Sequence, residues 1–246
     1  MNTPLTVRLP DGSTREYKDI LEPEFRQFFA RCAPYTLTAQ NGAQAPYAMF
    51  KAIEYIVKAR IPGDIVECGV WAGGSMLLAA LTLLHLKDSS RNLYLYDTYE
   101  GMPEPSEVDT DWDGNAAWPA WKKARDEGGR WGYGGSLEQV RQLLLESGYP
   151  EGKLLFVKGM VEETVPRVAP AQIALLRLDT DLYDSTIHEL EHLFPRLARG
   201  GILIIDDYGY FRGARAATDQ YLESIGGKLY FARVDDSVRI AVKVFD

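Results

Sequence analysis

The chain is short of cysteine, of basic charge and of long apolar runs, and each shortage removes a class of protein. Only two cysteines, Cys32 and Cys68, occur in 246 residues. Two cannot staple a chain of this size, and Cys68 falls in an apolar run that reads as core strand. The expected setting is therefore a reducing compartment, the cytoplasm. The 27 lysines and arginines are outnumbered by 35 acids, giving a net charge of -8 and a pI near 5.0. A phosphate-backbone binder carries a basic face, so no nucleic-acid partner is expected. No apolar run approaches the roughly 20 residues that span a bilayer. No N-terminal stretch joins a basic segment to an apolar run and a cleavage site. No membrane partner is expected either. What remains, at 46% hydrophobic and 25% charged residues, is a soluble globular chain of one domain or one and a half.

The most informative stretch is Gly63 to Ser75, GDIVECGVWAGGS. The apolar pair Ile65-Val66 leads into Glu67, a turn punctuated by Gly69, Gly73 and Gly74 follows, and a helix-like run extends from Ser75 to Leu86. Strand, glycine turn and helix form the first unit of an open α/β sheet, whose ligands bind at the carboxyl ends of the strands. The spacing is not G-x-G-x-x-G, because Trp71 stands where the middle glycine would be. That speaks against a dinucleotide, whose pyrophosphate needs the bare turn. A single nucleoside with an amino-acid tail suits it better. Glu67 is placed to position the tail, and Asp97, at the end of LYLYD, to accept both ribose hydroxyls.

Further short apolar runs predict strands near Leu93–Tyr96, Leu154–Val157, Ile173–Leu178 and Ile202–Ile205. Helical patterns lie at Pro46–Arg60, Leu137–Ser147, Val161–Val168 and Thr186–Leu197. Alternating strands and helices imply a parallel sheet. Leu229–Val234 and Ser237–Val244, joined by Asp235-Asp236, read as a hairpin, so the last of seven strands runs antiparallel to its neighbour. Before the sheet, residues 1–45 form an N-terminal extension that reads as a lid or an interface. The main domain covers 46–246 and carries an insertion near 100–136 with Trp112, Trp118, Trp121, Trp131 and Tyr133. That insertion is either a surface excursion fixed by its aromatics or a lid over the site.

Acids cluster where strands end. LRLDTDLYDST puts Asp179 at one strand mouth with Asp181 and Asp184 just behind, and ILIIDDY puts Asp206 and Asp207 at the next. Neighbouring strands lie about 5 Å apart, so these carboxylates converge, and they repel unless a cation sits between them or one is protonated. Oxygen-only ligands favour Mg²⁺ or another hard divalent cation. A helix cap accounts for one acid at most, with Asp184 or Ser185 the candidate.

Two other strings lead elsewhere and fail. HELEH (His188 to His192) fits the zinc-protease spacing, but Ile187, Leu190, Leu193, Phe194 and Leu197 make the core stripe of that helix. At about 100° per residue the two histidines fall on the opposite face, which reads as solvated surface. DTDWDG (Asp109 to Gly114) opens like a calcium loop, but its twelfth position is Ala120 rather than a bidentate Glu. Asp179-Thr180-Asp181 is also a D-x-D string, the device by which a metal-dependent glycosyltransferase holds a nucleotide-sugar. That activity, through Asp179 and Asp181, is the alternative enzymatic reading, and a nucleoside-binding scaffold with capping acids the non-enzymatic one.

Taken in order, VECGVWAGGS, YDTYEGMPEP, LRLDTDLYDST and GGILIIDDYG resemble the macrocin/mycinamicin-type O-methyltransferases of natural-product tailoring, from about Pro62 to the C-terminus. The resemblance implies an α/β class I methyltransferase fold, a Rossmann-like seven-stranded sheet with helices on both faces. It implies S-adenosylmethionine bound at Glu67, Gly69, Val70, Gly73, Ser75, Asp97, Thr98, Gly159 and Asp179, and Mg²⁺ held by Asp179, Asp206 and Asp207. The implied acceptor is a small hydroxylated molecule, a glycosylated natural product, and the implied assembly a homo-oligomer. Asp179 is the expected general base, taking the proton as the hydroxyl attacks.

Overall fold

The computed structural model describes residues 4–227 and 229–245. The first three residues of the expected extension and the last residue of the main domain lie outside the described residues. The chain opens with a hairpin, β1 (Leu5–Arg8) and β2 (Thr14–Tyr17), followed by α1 (Pro23–Cys32), two 3₁₀ turns and α2 (Gln44–Lys58). Pro23 starts α1, where its missing N–H costs nothing. Val7, Tyr17, Ile20, Phe25, Phe29 and Phe50 make a small core of their own under this extension.

The main sheet holds β3 (Asp64–Cys68), β4 (Leu93–Asp97), β5 (Leu154–Lys158), β6 (Ile173–Leu178), β7 (Leu197–Ile205), β8 (Phe231–Arg233) and β9 (Arg239–Val242). Its strand order is β5-β4-β3-β6-β7-β9-β8, parallel except where β9 runs antiparallel to β7 and β8. The seven strands and the reversed last one are those expected from the sequence. All six residues of β6 are buried, as a central parallel strand covered on both faces requires. Between the strands run α3 (Gly74–His85), α4 (Trp118–Asp126), α5 (Leu137–Leu145), α6 (Val161–Thr164), α7 (Tyr183–Leu193) and α8 (Arg212–Ser224).

One face of the sheet packs Ile65, Leu95, Leu175 and Ile204 against α2, α3 and α5. The other packs Val66, Leu176 and Leu203 against α6, α7 and α8. α3 is buried all the way round from Gly74 to Leu83, because the extension covers its outer side. α5 begins with a capping box, Ser136 and Gln139.

Three expectations need correction. α6 stops at Thr164 rather than continuing to Val168, because Pro166 cannot supply the next helical N–H. The chain leaves α7 at Leu193 and is already in β7 at Leu197. α8 was not expected at all. Its buried side holds Gly213, Ala214, Ala217, Thr218 and Tyr221, too small a stripe to register as a hydrophobic period, yet suited to close packing on α7. Among the described residues no helix is long and apolar enough to cross a membrane.

Candidate active site

The strand order reverses between β3 and β6, which opens a crevice beyond their carboxyl ends. Main-chain bonds set the floor of that crevice. The amides of Gly69, Asp179 and Asp206 donate at 2.9 Å to the carbonyls of Tyr96, Cys68 and Leu178, and that of Gly159 at 3.0 Å to Asp97. Segments scattered over 138 residues of sequence, from Gly69 to Asp206, thereby end side by side. Gly69 has φ +82, and a Cβ there would overlap the Asp179 carbonyl, so the two central strand mouths meet only through glycine. Above this floor lies a cavity of about 740 Å³. Gly69, Val70, Ser75, Asp97, Thr98, Gly159, Asp179, Asp206 and Asp207 line it, whereas Glu67 and Gly73 do not.

Asp97 holds the glycine turn in shape. Its Oδ2 accepts from the Val70 and Trp71 amides at 2.8 and 3.0 Å, and its Oδ1 from Tyr99 at 2.6 Å. The carboxylate expected at the ribose is thus largely occupied by main chain, and burial raises its pKa above the ordinary value. Trp71 sits at φ +50, a costly conformation that the Asp97 bond supports. Gly134 of the insertion lies directly on the Trp71 ring, where no larger residue would fit. Trp71 therefore seats the insertion on the turn.

Behind the cavity wall, Arg177 organises the acids. It is 2% exposed and donates to Glu67 Oε1 at 2.6 Å, to Asp179 Oδ2 and Asp206 Oδ1 at 2.5 Å, and to Thr38 Oγ1 at 2.8 Å. The register makes this possible. Arg177 is opposite Glu67 on β3, and Asp179, two residues on, emerges on the same face. Glu67 is buried with Oε2 unpartnered, and burial pushes its pKa up to about 7 against the pull of Arg177. Thr38 of the extension also donates to Asp206 Oδ2 at 3.2 Å, tying the N-terminal segment to the site. Arg177 and Thr38 do not figure among the residues expected from the sequence. The signal for Arg177 was present, a lone charge inside an otherwise apolar core strand, which must be paired.

The acids that meet are Asp179, Asp181 and Asp207, each with an oxygen within 4.8 Å of the others. Asp206 is not one of the trio, its carboxylate being turned to Arg177 and Thr38. Asp181 reaches there at φ +67. Burial, with the charges of Asp179 and Asp206, pushes Asp181 up to about 7 against a hydrogen bond with Asp207, and burial, with Asp181 and Asp206 beside it, holds Asp207 well above the carboxylate range. Burial does the same to Asp179, against the pull of Arg177 and with Asp206 and Asp207 adding to the rise. Asp207 Oδ2 is buried without a hydrogen-bond partner. An orphaned carboxylate oxygen among three oxygen donors fits a hard divalent cation and does not suit zinc.

The remaining strings resolve as structure. His188 and His192 are half-buried, not solvated. Their rings stack at 4.2 Å, and each bonds a main-chain carbonyl, Val165 and His188 respectively, away from the cavity. Asp109, from the calcium-like string, is buried and accepts from Ser106 N and Oγ at 2.7 Å and from the Tyr183 amide at 2.8 Å. It anchors the insertion to the start of α7. Beyond it Trp112 packs edge-on against Tyr210 at 4.9 Å, and Tyr210 against Phe211 at 4.8 Å, giving the cavity an aromatic side.

Residues 33–238 match the family described as Macrocin-O-methyltransferase (TylF). The chain is 33% identical over 196 residues to the 8-demethyl-8-(2,3-dimethoxy-alpha-L-rhamnosyl)-tetracenomycin-C 4'-O-methyltransferase of Streptomyces olivaceus, covering 76% of this chain and 72% of that one. It is 29% identical to the mycinamicin III 3''-O-methyltransferase of Micromonospora griseorubida, over 71% of this chain and 66% of that one. Among solved structures it is similar to the O-methyltransferase NovP, with a TM-score of 0.72 and 26% identity over 83% of this chain and 81% of that one. With the expected sheet, the expected motifs in place along it and a family match across most of its length, this chain belongs to the macrocin-O-methyltransferase (TylF) family.

Proposed function

We propose that this chain transfers the methyl group of S-adenosylmethionine to a hydroxyl on the sugar of a glycosylated natural product, with Mg²⁺ or another hard divalent cation. The observation that carries the reading is the meeting of the glycine turn and the acidic trio across one cavity. S-adenosylmethionine supplies a methyl already activated on a sulfonium. A divalent cation on Asp179, Asp181 and Asp207 would supply Lewis-acid polarisation of the acceptor oxygen.

The rest is the work of the chain. Gly69, Val70, Ser75, Thr98 and Gly159 line the cofactor half, Gly73 opens α3 behind it, and Asp97 keeps the turn in shape. Glu67 acts from behind the wall, through Arg177. As the acceptor oxygen bonds to the methyl, the methyl–sulfur bond breaks and the hydroxyl proton must leave. Asp179 takes it. Its Oδ2 accepts from Arg177, which holds the carboxyl in place for that step. The Trp112–Tyr210 side offers rings against which a sugar or an aglycone can lie. The free, buried Cys32 and Cys68 suit a cytoplasmic enzyme.

The test pairs a variant with a chelator. Asp179→Asn is expected to lower turnover by roughly 10²–10⁴-fold while S-adenosylmethionine still binds by calorimetry. Excess EDTA is expected to stop turnover in the wild-type enzyme. Full activity in EDTA would remove the cation from the mechanism, and full activity of the variant would remove Asp179 as base.

A further inference from the structure

Glu189 is a buried carboxyl that the mechanism above does not use. It lies on α7, fully buried, between the sheet and the helix. One of its oxygens, Oε2, accepts from Thr180 Oγ1 at 3.2 Å, the Cys68 thiol lies beside the carboxyl, and Oε1 is left without a well-formed hydrogen bond. A leucine would fill such a position without the cost of burying a polar group, so packing alone does not explain a glutamate there.

Its partner is placed tellingly. Thr180 stands between Asp179 and Asp181, and successive residues leaving a strand point to opposite faces. Asp179 goes to the Arg177 side, and the Thr180 hydroxyl goes to the α7 side. The segment turns sharply at this point. The Leu182 amide bonds the Thr180 carbonyl at 2.7 Å, and Asp181 is forced to φ +67. A non-glycine residue held there is strained and persists only when its surroundings fix it. On one side the Asp179 carboxylate is held by Arg177. On the other, the fixed point is the Thr180 hydroxyl.

We propose that Glu189 is a positioning residue for the acidic trio, gripping Thr180 from the α7 side so that Asp179 and Asp181 stand at the spacing from which they share a cation with Asp207. The proposal rests on the cation reading of the previous subsection. Burial raises the Glu189 carboxyl well above its ordinary pKa, and glutamine matches its shape and keeps an oxygen to accept from Thr180. That similarity supplies the control.

Mn²⁺ binding to the cofactor-free full chain, followed by electron paramagnetic resonance, tests the proposal without relying on turnover. Outer-shell partners of metal ligands are worth about 10–100-fold in affinity. Glu189→Leu and Thr180→Val are each expected to weaken Mn²⁺ by about that much. Glu189→Gln should stay within a few-fold of wild type, and the Glu189→Leu/Thr180→Val pair should be no worse than the weaker single variant. Circular dichroism melts establish that each variant is folded, and Thr180→Val, at a half-buried position, carries the test if Glu189→Leu does not fold. Wild-type affinity in the folded single variants, or additive losses in the pair, would sink the role of Glu189 and leave the cation reading standing. If wild type itself binds no Mn²⁺, both fall together.

Discussion

Arg177 sets one buried positive charge against Glu67, Asp179 and Asp206 at the inner wall of the cavity. One guanidinium cannot balance three carboxylates at close range, which favours the protonated form of the most buried of them. Glu67 shows the consequence most simply. Its pKa rises from an ordinary 4.5 to about 7 on folding, with burial as the first cause. The folded state then binds a proton that the unfolded state releases, so Glu67 supports the fold fully below about pH 4.5 and loses that support as pH rises to about 7. The shift corresponds to roughly 3 kcal/mol. Glu67→Gln is expected to flatten the fall in melting temperature between those pH values relative to wild type. Parallel melting curves for the two proteins would show that Glu67 stays charged throughout. At this scale the sequence was readable where an acid follows an apolar run, which is how Asp97, Asp179, Asp206 and Asp207 came to notice. It could not tell which of them face one another. Asp181 rather than Asp206 lies with Asp179 and Asp207, because Arg177 draws one carboxylate aside and the turn after Thr180 brings the other in. Neither distance is written in the local sequence.

Elements were legible in proportion to how much apolar side chain they bury. The core strands and α3 bury large residues and show it. α8 buries glycine, alanine and threonine, and hides. The insertion hides for another reason, since its attachment runs through a polar residue. Asp109 is 1% exposed and satisfies three donors, two on Ser106 and the Tyr183 amide that opens α7. Gly213 at the start of α8 is small because the Asp109 carboxylate fills the place of a side chain. Three elements thus converge on one buried acid. Asp109→Ala strands these donors, at about 1–3 kcal/mol for each buried group left unpaired. A loss of roughly 3 kcal/mol would lower the melting temperature by roughly 6–12 °C in a chain of this size. Limited proteolysis should then cut first within residues 100–136. An unchanged melting temperature with an unchanged cleavage pattern would mean that the aromatics alone hold the insertion down.

For the whole molecule, topology makes the crevice and charge selects what enters it. A site at the carboxyl ends of the strands was implicit in the run of alternating strands and helices, whereas the reversal of strand order between β3 and β6 is seen only in the fold. The balance of charge on the cavity wall was not implicit either, because it depends on which distant segments close over it. Beyond the acids at the strand mouths, Asp11 from the β1–β2 turn, Glu162 from α6, and Asp235 and Asp236 from the last hairpin face the cavity. Among the described residues, Arg15 is the one cation lining it. A single divalent ion on the trio would leave such a wall negative, and a negative wall repels a diphosphate. S-adenosylmethionine carries a sulfonium and no phosphate, so the same wall suits it. The D-x-D string at Asp179 and Asp181 is therefore expected not to hold a nucleotide-sugar. In calorimetry with Mg²⁺ present, S-adenosylmethionine should bind at least about 100-fold more tightly than a uridine or thymidine diphosphate sugar, a gap of about 2.8 kcal/mol. Equal or tighter binding of the nucleotide-sugar would mean that the acids hold a diphosphate through their cation, and that the acceptor half of the cavity had been read with the wrong charge.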